Sequence, residues 1–386
     1  MGAEMFEVTD GKSDRAVIKV IGVGGGGCNT VNQMVESGID GVDFVCANTD
    51  RQHLERCKTN MILQLGQSLT RGLGAGSNPD LGRQSAIEDK DRVKELITGT
   101  DLLFITAGMG GGTGTGAAPV IAELAKELQI LTVAVVTKPF AFEGKKRMAS
   151  AMKGIEEMEK FADSMVLIPN EKLKLVMGPQ ATMVNAFKAA NDVLQNAVQG
   201  ISDLITRPGL QNVDFADVRT VMLNRGKAMM GLGSGSGDKR AEQAVEMALA
   251  SPLLDDLELA NARGVLVNIC CDNSVTLDEI GAIMDRVRAI ACDDVDVKYG
   301  TSLDPALNGE MRVTVVATGL GAKHAVPVSN STVVTPITAA AKRTVNLDEP
   351  AIIRVGNKKA MPEALRELVM DEQLLDIPAF LRAQAD

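Results

Sequence analysis

Along the first half of the chain, short apolar runs recur at residues 16–23, 43–48, 61–65, 101–107, 131–137 and 164–168, with helical patterns such as 30–37 and 117–128 between them. Runs this short, rich in Val, Ile, Leu and Ala, predict buried strands of a parallel sheet covered by helices on both faces. In such sheets, ligands sit outside the carboxyl ends of the strands. From 179 to 204 apolar residues recur at helical spacing until Arg207-Pro208-Gly209 stops the pattern, which predicts one long helix. A second set of elements follows between about 218 and 320. Helices are expected there at 241–250 and 277–291, and strands at 264–271, 295–299 and 312–317.

The expected architecture is α/β. A Rossmann-like parallel-sheet domain over 16–178 follows a flexible leader at 1–15; a long central helix spans 179–207; a second, smaller α/β or α+β domain spans 208–321. Past residue 321, Ser, Thr, Val, Ala and Pro replace the periodicity, and a segment that cannot bury a core reads as a flexible linker, at 322–362. Apolar residues return at Leu365, Leu368, Leu374, Leu375, Ile377, Phe380 and Leu381, so the tail at 363–386 reads as an amphipathic docking peptide.

Of 386 residues, 45% are hydrophobic but only 3% aromatic, with no Trp, so the cores must be built from Val, Ile, Leu, Met and Ala. A formal net charge of −10 argues against nucleic-acid binding, which needs a basic face. The six cysteines (Cys28, Cys46, Cys57, Cys270, Cys271 and Cys292) show no paired C-x-x-C spacing and read as buried reduced thiols of a cytoplasmic protein. His53 and His324 are isolated in sequence, so no transition-metal site is expected from side chains. The polar start is unlike a secretory signal, and no uninterrupted apolar span is long enough to cross a bilayer.

The segments that carry chemistry are glycine runs at the ends of predicted strands. Gly108-Met109-Gly110-Gly111-Gly112-Thr113-Gly114-Thr115-Gly116 joins the strand at 101–107 to the helix at 117–128. Glycine N–H groups can approach an anion unobstructed and a helix N-terminus adds partial positive charge, so this is phosphate-binding geometry, with Thr113 and Thr115 as further donors. Gly22-Val23-Gly24-Gly25-Gly26-Gly27-Cys28-Asn29 fits G-x-G-x-x-G through Gly22, Gly24 and Gly27, with Asp50 roughly where an acidic ribose partner would stand. Alone, that run suits a nicotinamide-dependent oxidoreductase. An ordinary P-loop, G-x-x-x-x-G-K-[ST], does not occur. A third turn, Arg71-Gly72-Leu73-Gly74-Ala75-Gly76-Ser77-Asn78, makes three backbone-rich loops that could encircle a triphosphate, where a dinucleotide fold needs one.

Together with Asn212-Val213-Asp214-Phe215-Ala216-Asp217, the glycine runs resemble the tubulin and FtsZ family of GTPases, in particular its bacterial members. The resemblance covers about 16–321 and returns at Leu375-Asp376-Ile377-Pro378-Ala379-Phe380-Leu381. It implies a GTP-hydrolysing protein that polymerises head to tail into filaments of the cytokinetic ring, at midcell on the inner face of the cytoplasmic membrane. Gly24, Gly25, Gly26, Gly27, Cys28, Asn29, Asn48, Gly111, Gly112, Thr113, Gly114, Thr115 and Gly116 would then hold the nucleotide, with Ala75, Gly76 and Ser77 near its terminal phosphate.

Glu143 and Arg147 match positions that contact ribose and nucleotide, although an exposed ion pair would account for them on sequence alone. Asn170, Phe187, Asn191 and Asp192 match residues that reach, stack on and hydrogen-bond guanine; by periodicity Phe187 is equally a core residue. Asn212, Asp214 and Asp217 match a loop that enters the pocket of the neighbouring subunit, so catalysis would require polymerisation. Mg²⁺ would arrive with GTP. Through Asp376, Ile377, Pro378, Phe380 and Leu381 the tail would dock to membrane-tethering division proteins of the FtsA and ZipA kind, without inserting in the membrane itself. Cys28 stands where the family commonly has a small residue, and a thiol in the phosphate loop would make nucleotide binding oxidation-sensitive. The competing class is an adaptor that polymerises with GTP but releases no phosphate.

Overall fold

The structure, a computed structural model, describes residues 16–320 apart from 179–181, 208, 212, 225, 255–261 and 292–294. The expected leader, linker and tail, including Asp376, Ile377, Pro378, Phe380 and Leu381, lie outside the described residues, as do Asn212 and Cys292. All that is described falls within one compact unit spanning 1–325.

Six strands, β1 (Ile18–Val23), β2 (Asp43–Asn48), β3 (Met61–Gln64), β4 (Leu102–Gly108), β5 (Leu131–Lys138) and β6 (Ser164–Pro169), pair in parallel in the order β3-β2-β1-β4-β5-β6. Successive side chains point to opposite faces. Val20, Phe104 and Val133 therefore join one core cluster, while Ile21, Ile105 and Ala134 join the other. Because both faces are buried in the central strands, β4, β5 and most of β1 and β2 are apolar instead of alternating, while the edge strand β3 is partly exposed. Helices α1 (Gly24–Glu36) and α9 (Met183–Thr206) cover the first face. Helices α5 (Lys90–Ile97), α6 (Thr113–Glu127) and α7 (Lys145–Phe161) cover the second.

The sheet continues past β6. Strand β7 (Gly226–Ser236) pairs with it in parallel, and β10 (Glu310–Leu320), β8 (Gly264–Cys271) and β9 (Asp296–Leu303) follow to complete ten strands. β7–β10 and β10–β8 are antiparallel and β8–β9 parallel, over a third core formed with α11 (Arg240–Leu249) and α12 (Leu277–Ile290). The two expected domains thus share one sheet. The hydrophobic pattern does not reveal β7 because its glycines are used for packing. A Cβ on Gly231, Gly233 or Gly235 would lie within 2.1 Å of a carbonyl oxygen of α11 or of Arg240 at its start. Only glycine lets a helix backbone approach a strand so closely.

Two helices begin earlier than their apolar periodicity. α1 starts at Gly24 instead of near residue 30, and α6 at Thr113 instead of 117, so much of each glycine run is the first turn of a helix. α9 is described from Met183, where Thr182 caps it by accepting from the Asn185 N–H at 3.2 Å. Its far end is held by Arg207, which pairs with Asp203 at 3.0 Å and Asp304 at 3.2 Å. No helix among the described residues is long and apolar enough to cross a membrane.

Candidate functional site

At the carboxyl ends of β1, β4 and β5, the chain encloses a cleft of about 260 Å³. Two helices point their N-termini into it. Gly24, Gly25 and Gly26 of α1 line one wall, and Gly111, Gly112, Thr113 and Gly114 at the start of α6 line another. The first backbone N–H groups of a helix have no intrahelical partner. Neither start is capped by a side chain: Val23 and Gly112, the N-cap residues, make no side-chain cap bond. Uncapped donors and two helix dipoles converging on one cavity favour an anion there.

The third glycine turn is tied to this frame. Gly72, Gly74 and Gly76 adopt φ of 75°, 86° and 56°, the left-handed region that favours glycine. The Arg51 N–H donates to the Gly72 carbonyl at 3.0 Å, and the Gly74 N–H to the Thr49 carbonyl at 3.2 Å, which folds the turn onto the end of β2. The Gly112 N–H then donates to the Gly76 carbonyl at 2.9 Å. Thr49 Oγ1 accepts from the Ala75 N–H at 2.9 Å and lies 2.6 Å from Thr113 Oγ1. Asn78 follows as the N-cap of α4 (Pro79–Glu88), accepting from the Asp80 and Leu81 N–H groups. Gly76 reaches the cleft; Ala75 is buried behind it, and Ser77 is exposed beside it.

The opposite wall carries the longer side chains. Glu143 ends a short 3-10 turn before α7, its carboxylate accepting from the Phe140 N–H at 2.8 Å and pairing with Arg147 Nε at 3.0 Å. The Glu143 side chain is only 9% exposed while Arg147 is half exposed, so the pair that sequence alone allowed on a solvent face is anchored at its acidic end inside the cleft wall. Phe187 is 37% exposed and meets Phe140 edge-on at 5.7 Å, while Phe140 stacks on Phe142 at 5.1 Å. It is therefore at the mouth of the cleft rather than in the core. Asn170 opens α8 (Asn170–Met177), is buried, and its Oδ1 has no hydrogen-bond partner among the described residues. A buried amide oxygen without a donor is costly unless a ligand supplies one. Asn170→Ala should therefore leave thermal stability unchanged while weakening GTP binding about tenfold, read by equilibrium binding.

Several expected contacts are placed elsewhere. A Cβ on Gly27 would lie 2.2 Å from the Thr106 carbonyl, and one on Gly116 2.0 Å from the Pro79 carbonyl, so both allow backbone packing and do not line the cleft. Thr115 Oγ1 accepts from the Gly110 N–H at 2.7 Å and braces the loop from within. Asn48 is buried and accepts from the Thr49 N–H at 2.9 Å. Asn29 faces His53 instead, at 3.1 Å. Asp50 caps the short helix α2 (Arg51–Leu54), accepting from the His53 N–H at 3.2 Å, and so does not serve as a ribose partner in this arrangement. Of the pair on α9, Asn191 lines the cleft, but the Asp192 carboxylate accepts from Gln33 of α1 in an adjoining groove.

Cys28 corrects a second expectation. Its thiol is fully buried, 3.5 Å from the Gly22 carbonyl and 3.7 Å from that of Ala47, on the sheet side of α1 and away from the cleft. Hydrogen bonding to Cys46 and Cys57, together with burial, pushes its pKa well above the usual thiol value. A buried protonated thiol does not expose nucleotide binding to oxidation. The expectation of no clustered metal-ligating side chains also fails, since Cys28, His53 and Cys57 lie together.

Asp214 and Asp217 are not near the cleft. α9 lines it through Phe187, Asn191 and Leu194 and then continues to Thr206, roughly 18 Å further at the helical rise. Beyond that end, Asp214 precedes α10 (Phe215–Met222) and is exposed, and Asp217 pairs with Lys298 of β9 at 3.2 Å. The cleft also uses residues that the motifs did not single out, notably Thr137 near the end of β5, Pro139 just after it and Leu194 of α9. The carboxyl end of a buried strand was the available signal for the first two.

Residues 17–178 match the GTPase domain of the tubulin/FtsZ family, and residues 226–321 match the C-terminal domain of the FtsZ family. The chain is 52% identical over 385 residues to the cell division protein FtsZ of Wigglesworthia glossinidia brevipalpis, across 99% of this chain and 100% of that relative. It is 52% identical over 392 residues to the protein of the same name from Coxiella burnetii, across 98% and 99%. An empty FtsZ dimer from M. jannaschii superposes with a TM-score of 0.77 at 45% identity, over 80% of this chain and 89% of that one. A GTPγS-bound protofilament of CetZ2 from Haloferax volcanii gives 0.68 at 20% identity over 80% and 94%, a likeness of fold. The oxidoreductase suggested by the first glycine run alone is set aside by the match to a GTPase domain.

Proposed function

Because the chain belongs to the tubulin/FtsZ family, we propose that its cleft is half of a GTPase site, completed by Asp214, Asp217 and Asn212 of the next subunit in a head-to-tail filament. The protein is a tubulin-like GTPase of cell division that binds guanine nucleotide and forms filaments. In the proposed site, the backbone donors of Gly24–Gly26 and of Gly111, Thr113 and Gly114 hold the phosphates, with Gly76 beside the last of them. Arg147, oriented by Glu143, reaches the ribose, and Phe187, Asn191 and Asn170 receive the base. Asp192 would take part only by leaving Gln33.

The observation that carries this reading is the segregation of charge. The cleft is lined with donors, and its one carboxylate, Glu143, is already paired with Arg147. A water attacking the γ-phosphate is best oriented by a carboxylate, and among the described residues this cleft offers no unpaired one. Asp214 and Asp217 are acceptors at the other end of the molecule's longest described helix, where a translated copy could present them to a neighbour's cleft. Heterologous contacts of that kind do not close and so generate filaments. The same reasoning applies to Mg²⁺: the lining by itself does not supply a ligand set, so the cation would come with the nucleotide phosphates. Through its tail the filament would dock to partners of the FtsA and ZipA kind at the division site, with the linker providing reach.

Phosphate release from GTP, measured against protein concentration with light scattering in parallel, tests the shared site. Both signals should vanish below one threshold concentration. The same specific rate from a dilute monomer would show that the cleft is complete alone, and filaments without phosphate release would favour the adaptor.

A further inference from the structure

Behind the first turn of α1 lies a cluster of soft ligands that GTP hydrolysis does not use. The sulfurs of Cys28 and Cys57 and one imidazole nitrogen of His53 all lie within 4.8 Å of one another. They come from three places: α1, the segment after α2, and α2 itself. Cys46 of β2 adjoins them, its thiol donating to the Cys28 carbonyl at 3.9 Å. All of these cysteines are free.

The imidazole is already set in the orientation a metal needs. His53 Nε2 lies 3.1 Å from Asn29 Oδ1. A carboxamide oxygen can only accept, so Nε2 carries the proton and Nδ1 keeps its lone pair. Nδ1 is buried and has no partner among the described residues. An outer group that fixes the tautomer while the other nitrogen points inward is the usual second layer of a metal-binding histidine. Cys28 is fully buried while His53 and Cys57 are half-buried, which leaves an approach from solvent.

We propose that Cys28, Cys57 and His53 Nδ1 bind a Zn²⁺ ion, with water in the fourth position on the half-exposed side. Sulfur and imidazole donors select Zn²⁺ over the hard Mg²⁺ that accompanies nucleotide. Each coordinating thiol releases its proton to solvent on binding. The ion would tie α1 to α2 and the segment after it, directly behind the glycine turn, since a Cβ on Gly25 would lie 3.9 Å from His53 Nε2.

The test uses the reduced full-length chain and the metals alone. Co²⁺ should produce thiolate-to-metal charge-transfer absorption and the intense visible bands of a four-coordinate ion, and Zn²⁺ should bleach both at one equivalent per chain. His53→Gln and Cys57→Ser change half-exposed positions and should remain folded by circular dichroism. Each should weaken Zn²⁺ binding at least about tenfold, whereas Cys270→Ser on β8 should bind as the parent does. Absence of the charge-transfer band overturns the site, as does Zn²⁺ binding unchanged in both variants or lost in Cys270→Ser.

Discussion

Asp217→Ala should bind GTP as the parent does and still assemble, yet release phosphate about a hundredfold more slowly, the scale of removing one positioned electrostatic group from an active site. The expectation follows from where the carboxylate is. Asp217 is absent from the cleft lining, so nucleotide affinity in the monomer does not depend on it. Its partner Lys298 is about one-third exposed and Asp217 nearly half exposed, so their ion pair contributes little to folding. Asp214 makes no cap bond to α10, and Asp214→Ala should likewise spare the fold. Equilibrium GTP binding, light scattering and phosphate release measured on one preparation separate the three steps. A parental rate from Asp217→Ala would remove the role assigned to it.

The second large effect concerns two glycines five positions apart in one motif. Gly116→Val should destabilise the protein by about 3 kcal/mol, the upper end for overpacking a close contact. A Cβ there would meet the Pro79 carbonyl at 2.0 Å and the Arg83 N at 2.6 Å, forcing α4 off α6. Because α4 begins just after the turn that carries Gly76, GTP affinity should fall with stability. Gly111→Val should behave in the opposite sense. No heavy atom lies within 4 Å of its Cβ position, so the fold should hold, but the position lines the cleft and GTP binding should be lost. Thermal melting with and without GTP distinguishes the two; equal melting losses would contradict this division of the motif.

Much of this was legible in the sequence. The central strands of the parallel sheet are continuous apolar runs because both of their faces are buried, and the glycine runs stand where parallel sheets bind ligands. Other features depend on tertiary neighbours. β7 is hidden because Gly231, Gly233 and Gly235 serve the helix packed on them rather than a hydrophobic face. Gly22, Gly24 and Gly27 satisfy a dinucleotide spacing, yet a Cβ on any of the three would strike backbone, so the spacing is set by close packing of the chain. Adjacent residues Asn191 and Asp192 differ by one helical step of 100°, which sends one to the cleft and the other to Gln33. The cysteine and histidine cluster could not be found from spacing, because α2 and the segment after it bring His53 and Cys57 to Cys28 of α1 only when the sheet forms.

The shared active site is tested most directly by mixing two inactive proteins. Asp217→Ala keeps an intact cleft and lacks the acid; Gly111→Val keeps the acids and lacks a working cleft. Separately, each should release phosphate at a small fraction of the parental rate. Combined, they should recover turnover, because some contacts join the intact cleft of one protein to the intact acids of the other. A mixture no more active than the sum of its parts would contradict a site built from two subunits.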